Sequence, residues 1–158
     1  MTTNLQKRQQ KQNARAKAAL HYATDLLWHV LPLDTEGEPL ADEATRDLAL
    51  VDEYWRCWPD ANVGVVTGAV SNLIALCIDG KRDGFASLAR LQAEIGRPRS
   101  TLIAESDDGR EVWLFAWNEE LEKLDAVQLG PGLTLCGNGS YVAVPPSSVG
   151  GTTWRWTR

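Results

Sequence analysis

The sequence predicts a single α+β domain: a mixed or antiparallel central sheet flanked by helices, with a further helix at the N-terminus. Three observations predict it. Segments with apolar residues at helical spacing are interleaved with short β-branched runs. Those runs are bounded by Gly, Pro and Asn-Gly punctuation rather than by long linkers. The chain has 158 residues, 44% of them hydrophobic, enough to bury one core, with no repeat and no low-complexity stretch.

The first helix is expected from about Leu5 to Val30. Gln, Lys, Arg and Ala dominate it, and Gly and Pro are absent. Ala16, Ala19, Leu20, Ala23, Leu26 and Leu27 recur at helical spacing, so its second half packs on the core. His21 and His29 lie on or just after it and read as structural or surface residues. Leu31-Pro32-Leu33 reads as a short strand, followed by a loop over residues 35–41 punctuated by Gly37 and Pro39. Leu48 to Trp58 reads as a helix with Leu48, Val51, Trp55 and Trp58 inward, stopped by Pro59.

Asn62 to Val66 is a β run and residues 67–71 a turn; Leu73 to Ile78 is a continuous apolar run that reads as a buried strand. Phe85 to Ile95 is amphipathic, with Phe85, Leu88, Leu91 and Ile95 on one side and Gly96 and Pro98 after it. Strands are expected at Thr101–Ala104 and Val112–Phe115, joined by the polar turn 106–110, then a short helical piece from Glu119 to Leu124. The last strands are Leu133–Leu135 and Tyr141–Val144, hinged at Gly137-Asn138-Gly139. A tail with Trp154 and Trp156 closes the chain.

Net charge is −5, unevenly spread. Residues 1–17 hold five of the 16 basic side chains (Lys7, Arg8, Lys11, Arg15, Lys17) and none of the 21 acidic ones, which leaves residues 18–158 with 11 against 21, a net of −10. We therefore separate a basic, Gln-rich extension of the first helix, residues 1–17, from the domain at 18–158. An acidic body repels a phosphate backbone unless its cations cluster, so nucleic acid is expected to contact the basic N-terminus if it binds at all. No run approaches a membrane span and no N-terminal apolar segment suits a secretory signal, so no membrane partner is expected and the location is cytoplasmic by default. Cys57, Cys77 and Cys136 are odd in number and widely spaced, which argues for reduced thiols and against a disulfide framework. The histidines are remote in sequence from them, which argues against zinc.

The buried run ends in Cys77-Ile78-Asp79-Gly80. Side chains two apart on a strand share a face, so an acid pair at such an end would suit a two-metal site. Here a cysteine stands where the first acid would be. Asp79 to Gly84 carries the glycines and cations of a phosphate-approaching loop, but without the spacing of a P-loop. Arg97 and Arg99 read as surface charges, Trp55, Trp58 and Trp113 as core. Trp117, Trp154 and Trp156 stand in polar surroundings, where packing over a core edge competes with an interface role.

Several segments, taken in order, carry a resemblance: Leu31-Pro32-Leu33, Glu38-Pro39-Leu40, residues 44–47, and Tyr54-Trp55-Arg56-Cys57-Trp58-Pro59-Asp60-Ala61-Asn62-Val63-Gly64 with the Thr67-Gly68 that follows. The strand ending at Asp79-Gly80, the Gly109-Arg110 turn before an aromatic strand, and Gly139-Ser140-Tyr141-Val142-Ala143-Val144-Pro145-Pro146-Ser147 complete it. Over roughly residues 20 to 156 the chain resembles the N-terminal domain of bifunctional DNA primase/polymerases, the prim-pol branch of the archaeo-eukaryotic primase superfamily. The resemblance implies a prim-pol-like core and a nucleotidyl transferase of DNA replication, often on plasmids or phages, whose divalent metals are held by an acid pair on one strand and a third acid on a later strand. A His after a Gly-Arg-like turn steadies the phosphates.

Position by position this sequence departs from that pattern. Cys77 replaces the first acid, Asp79 keeps the second, Glu111 stands where the family has His, and Thr134 falls at the third acid with Cys136 two residues on. Glu38 replaces a Lys common before the early Pro, and no histidine occurs after residue 29. Mg²⁺ is a hard cation that wants several oxygen ligands, which a thiol does not supply.

The expected function is a stand-alone prim-pol-like protein with a degenerate active site that acts by binding, to a protein partner first and to nucleotide or nucleic acid second. Lys81, Arg82 and Arg110 are the candidate phosphate-contacting cations. An active primase/polymerase with a rearranged site, using Asp79 and Glu111 as catalytic remnants and Asp79 as a weak metal ligand, is the alternative. An acidic, DNA-mimicking regulator of a DNA-binding protein is another. No cofactor is expected; Mg²⁺ or Mn²⁺ belongs only to the enzymatic alternative. A Cys77–Cys136 pair across neighbouring strands, forming a redox or soft-metal site, is a further option, against the ordinary role of buried Cys as a small apolar filler.

Overall fold

Every strand pairs antiparallel, and the strands divide into two sheets. The structure, a computed structural model, describes residues 2–99 and 101–157. In chain order the elements are α1 (Asn4–Thr24), β1 (Val30–Leu33), α2 (Leu48–Cys57), β2 (Asn62–Val66), β3 (Leu73–Asp79), α3 (Gly84–Ile95), β4 (Leu102–Ser106), β5 (Arg110–Ala116), β6 (Ala126–Gly130), β7 (Leu133–Cys136), β8 (Tyr141–Val144), β9 (Ser148–Val149) and β10 (Thr152–Trp156). One-turn 3-10 helices cover Ala69–Ser71, Gly80–Arg82 and Glu119–Leu121. The small sheet runs β1-β2-β8 and the large one β6-β7-β3-β5-β4-β10-β9. The α+β expectation holds; the single central sheet is two.

Helix α1 opens with a capping box, in which Thr3 Oγ1 accepts from Gln6 N at 3.2 Å and Gln6 Oε1 accepts from Thr3 N at 2.9 Å. It ends at Thr24, short of the expected Val30. Leu27 turns the chain at φ +58°, letting buried Trp28 stack on Tyr22 and Val30 enter β1. Leu26 and Leu27 are consequently exposed instead of packed. The helix also runs unbroken across residue 17. Arg8 Nη2 reaches Asp60 Oδ2 at 2.7 Å, Gln12 Nε2 reaches Asp60 Oδ1 at 2.7 Å and Arg15 Nη1 reaches the Asp60 carbonyl at 2.7 Å, pinning the basic half of α1 to the turn after α2.

The core has two parts. Ala19, Tyr22 and Ala23 of α1 with Val51 and Trp55 of α2 pack in one cluster with Val30, Val63, Val65 and Val144 of the small sheet and Ala75, Val112 and Leu114 of the large sheet. The other face of the large sheet, Leu76, Ile78 and Leu133, packs under Leu88 of α3. Each such side chain, buried, contributes about 1.5–3 kcal/mol over its exposed state. Two inward stripes differ from expectation. Leu48, directly after the Asp47 cap, is exposed. In α3, Phe85 and Ile95 are exposed, while Gly84, Ser87 and Leu88 face inward. A Cβ on Gly84 would stand 2.6 Å from the carbonyl oxygens of both Asp79 and Gly132, so only a bare Cα lets the helix start this close to β3.

Strand β6 and the short β9 were not expected from the sequence, and the Trp-rich tail forms β10. Strand β6 is exposed along most of its length at the sheet edge, so it lacks the buried pattern that marks a strand.

Candidate functional site

The inner face of the large sheet and the edge of the small sheet bound a cleft of about 560 Å³. Pairing register decides which side chains reach it. Cys77 lies opposite Thr134 of β7 and Val112 of β5, and Asp79 opposite Arg110. Directly paired residues share a face, and so do residues two apart. Cys77, Asp79, Thr134, Arg110 and Val112 therefore form one patch, and all five line the cleft.

Glu111 is not part of that patch. It pairs with Ile78, whose side chain belongs to the α3 side of the sheet. Its Oε2 accepts from Trp113 Nε1 at 2.7 Å on that face, beside a separate groove of about 550 Å³ bordered by Phe85, Arg97 and Arg99. Asp79 and Glu111 both border the cleft, but strand parity directs their side chains to opposite faces of the large sheet. The residue that pairs with Cys77 on β5 is Val112, one further along than Glu111.

Asp79, the acid of the patch, is already engaged. Its Oδ1 accepts from Lys81 N at 3.0 Å, capping the 3-10 turn, and its Oδ2 stands 3.7 Å from Arg82 Nε. The Lys81 ammonium reaches Asp108 Oδ2 at 3.6 Å, and Arg110 Nε donates to Asp108 Oδ1 at 3.0 Å. The Arg110 guanidinium also lies 5.5 Å from the ring centroid of Trp154, a cation–π contact that holds it across the cleft. The Ser106 hydroxyl, then Arg110 and Lys81, hold Asp108 at about 2, well below the usual carboxylate range. All three candidate phosphate-contacting cations are therefore matched by carboxylates. Glu36 and Glu38 add negative charge at the cleft mouth.

Cys77 and Cys136 bring their sulfurs to 3.8 Å across β3 and β7. The contact and burial push the Cys77 thiol up, while hydrogen bonds from Cys77 and Ser140 draw Cys136 down to about 7. The three tail and loop tryptophans are packed rather than displayed. Trp154 is 6% exposed, Trp156 is half-buried and donates to Tyr22 Oη at 2.9 Å, and half-buried Trp117 keeps its Nε1 in the interior. An interface built on exposed tryptophan is thereby overturned. His21 pairs with Asp25 at 2.6 Å on the surface, and half-buried His29 sits outside the cleft.

Residues 19–158 match the family described as bifunctional DNA primase/polymerase, N-terminal. The chain belongs to the prim-pol family. No curated protein matches it.

Prim-pol chemistry implies a pair of divalent cations, which carboxylates would hold. The donor set of this cleft does not fit them. Around Asp79 it offers a thiol, a hydroxyl and an isopropyl group, and the Asp79 oxygens face a backbone N–H and a guanidinium; Glu36, Glu38 and Glu111 also border the cleft. Among the described residues no cluster of three His, Cys, Asp or Glu side chains could hold a metal. Sequence reading missed Val112, Tyr141 and Trp154 as cleft residues and Asp108 as the anchor of two cations. Parity along β5 carries the signal for Val112, but only once the register with β3 is known.

Proposed function

We propose that this chain is a prim-pol-family domain that acts by binding in a replication setting and does not carry out two-metal nucleotidyl transfer. The observation that carries the reading is the patch around Asp79, with Cys77, Val112 and Thr134 as neighbours. A nucleoside triphosphate needs its charge neutralised by metals or by free cations. The two basic side chains of this cleft, Arg82 and Arg110, and Lys81 beside it are already paired, and acids stand at its mouth. The rearranged-site enzyme is disfavoured, because Asp79 and Glu111 border one cleft but direct their side chains to opposite faces of the sheet.

The acidic body and the internally paired cations favour a protein partner over nucleic acid. Two of the five N-terminal cations, Arg8 and Arg15, are engaged by Asp60, which weakens that segment as a nucleic-acid contact. No helix among the described residues is long and apolar enough to cross a membrane.

The test is calorimetric titration of the chain with Mn²⁺ and a deoxynucleoside triphosphate, alongside a primer-synthesis assay. The expected results are no saturable heat at micromolar ligand and no product. Product made with Mn²⁺ and lost in Asp79→Ala would overturn the reading.

A further inference from the structure

The paired thiols of Cys77, which lines the cleft, and Cys136 beside it are used neither by prim-pol chemistry nor by the binding function above. We propose that Cys77 and Cys136 are a redox modification site, closing to a reversible disulfide when the protein meets a hydroperoxide. Nothing in this depends on what the cleft binds.

The geometry carries it. Cys136 pairs with Ala75 and Cys77 with Thr134, so the two cysteines are diagonal neighbours on the same face of adjacent antiparallel strands. Diagonal neighbours on a flat ladder stand about 7–8 Å apart, beyond the roughly 7 Å past which a disulfide needs the backbone to shift. Here the side chains have turned toward each other, leaving 3.8 Å between sulfurs. A disulfide is about 2.04 Å long, so closing it requires rotation of both side chains and a small approach of β7 to β3. Cys77 lines the cleft, which gives a small oxidant its path. The third cysteine, Cys57, is exposed at the end of α2 and serves as an internal control.

The chemistry balances in two steps. One of the two thiols reduces the peroxide O–O bond, becoming a sulfenic acid and releasing one water from hydrogen peroxide or an alcohol from an organic hydroperoxide. The second thiol attacks that sulfur, forms the S–S bond and expels a water. Low-molecular-weight thiols reverse the bond by exchange through a mixed disulfide. A disulfide of this kind in a thiol-buffered compartment is transient and sensing rather than structural. The cross-link would tie β3 to β7 across 59 residues of sequence, restricting the unfolded chain and fixing the cleft floor.

The test treats the purified chain with hydrogen peroxide, quenches in acid, alkylates under denaturing conditions and reads the mass. Cleavage before Asp60 separates the Cys57 peptide from that of Cys77. The expected result is protection of two of the three thiols, a linked Cys77–Cys136 peptide pair that disappears on reduction, and a higher melting temperature for the oxidised form. Cys57→Ser, at an exposed position, should retain the link. In Cys77→Ala, Cys136 should instead be trapped by a sulfenic-acid reagent. Alkylation of all three thiols after peroxide, disulfides formed only through Cys57, or irreversible oxidation of Cys77 and Cys136 without a link would each overturn the proposal. The decisive measurement is made on the unsubstituted protein, so it holds even where a cysteine variant fails to fold.

Discussion

Asn62 gives the sharpest stability prediction. Its side chain is 1% exposed and joins two loops that border the cleft. Nδ2 donates to the carbonyls of Asp34 at 3.0 Å and Ser148 at 2.8 Å, and Oδ1 accepts from Ser148 N at 2.9 Å. Asn62→Asp keeps the shape and the acceptor but turns both donors into an oxygen facing two carbonyl oxygens. Each buried carbonyl left without its donor costs about 1–3 kcal/mol, so the loss at neutral pH is about 2–6 kcal/mol. At about 2–4 °C per kcal/mol for a domain of this size, the melting temperature should fall by roughly 4–24 °C.

The new carboxyl carries a second signature. Burial and the two carbonyls raise its folded pKa above the unfolded value of about 3.9, because the protonated form can donate one hydrogen bond. A raised folded pKa means that the deficit relative to the unsubstituted protein is smallest below that unfolded value and grows as pH rises toward the folded one. Urea unfolding at pH 5 and pH 7, with Asn62→Ala as a control that lacks a titrating group, reads both effects. A midpoint for Asn62→Asp within about 1 kcal/mol of the parent at pH 7 would refute the reasoning, as would a deficit identical at the two pH values.

Two further predictions address the elements that frame the cleft. Gly84→Ala sets helix propensity, which favours Ala by about 1 kcal/mol, against a Cβ placed 2.6 Å from two backbone carbonyls that cannot rotate away; overpacking of this kind costs about 1–3 kcal/mol, so urea unfolding should show a net loss, and a gain would mean that α3 can back away from Asp79. Asp60→Ala should lower the circular dichroism helix signal of the N-terminal turns while barely moving the global midpoint, because the Arg8–Asp60 pair is exposed. Hydrogen bonds from Arg8 and then Gln12 hold Asp60 below its ordinary 3.8, so this anchoring is present above that value and fades as pH falls through the folded pKa; helicity unchanged by acid in that range would contradict it.

Much of this protein was legible in its sequence. Strand β2 occupies the Asn62–Val66 run expected of it, β8 the Tyr141–Val144 run, and α2 begins at Leu48 behind the Asp47 cap. These follow from local chemistry: β-branched alternation, a capping carboxylate, a proline stop. The cysteine at residue 77 and the lack of any histidine after residue 29 are facts of the sequence that no folding can alter. Tertiary structure decided the rest. It set Glu111 on the α3 face, put Val112 beside Cys77, buried Trp154 and brought Cys136 to Cys77. Side chains on a strand alternate with period two, and register is set by partner strands tens of residues away, so a shift of one residue exchanges the cleft for the opposite face.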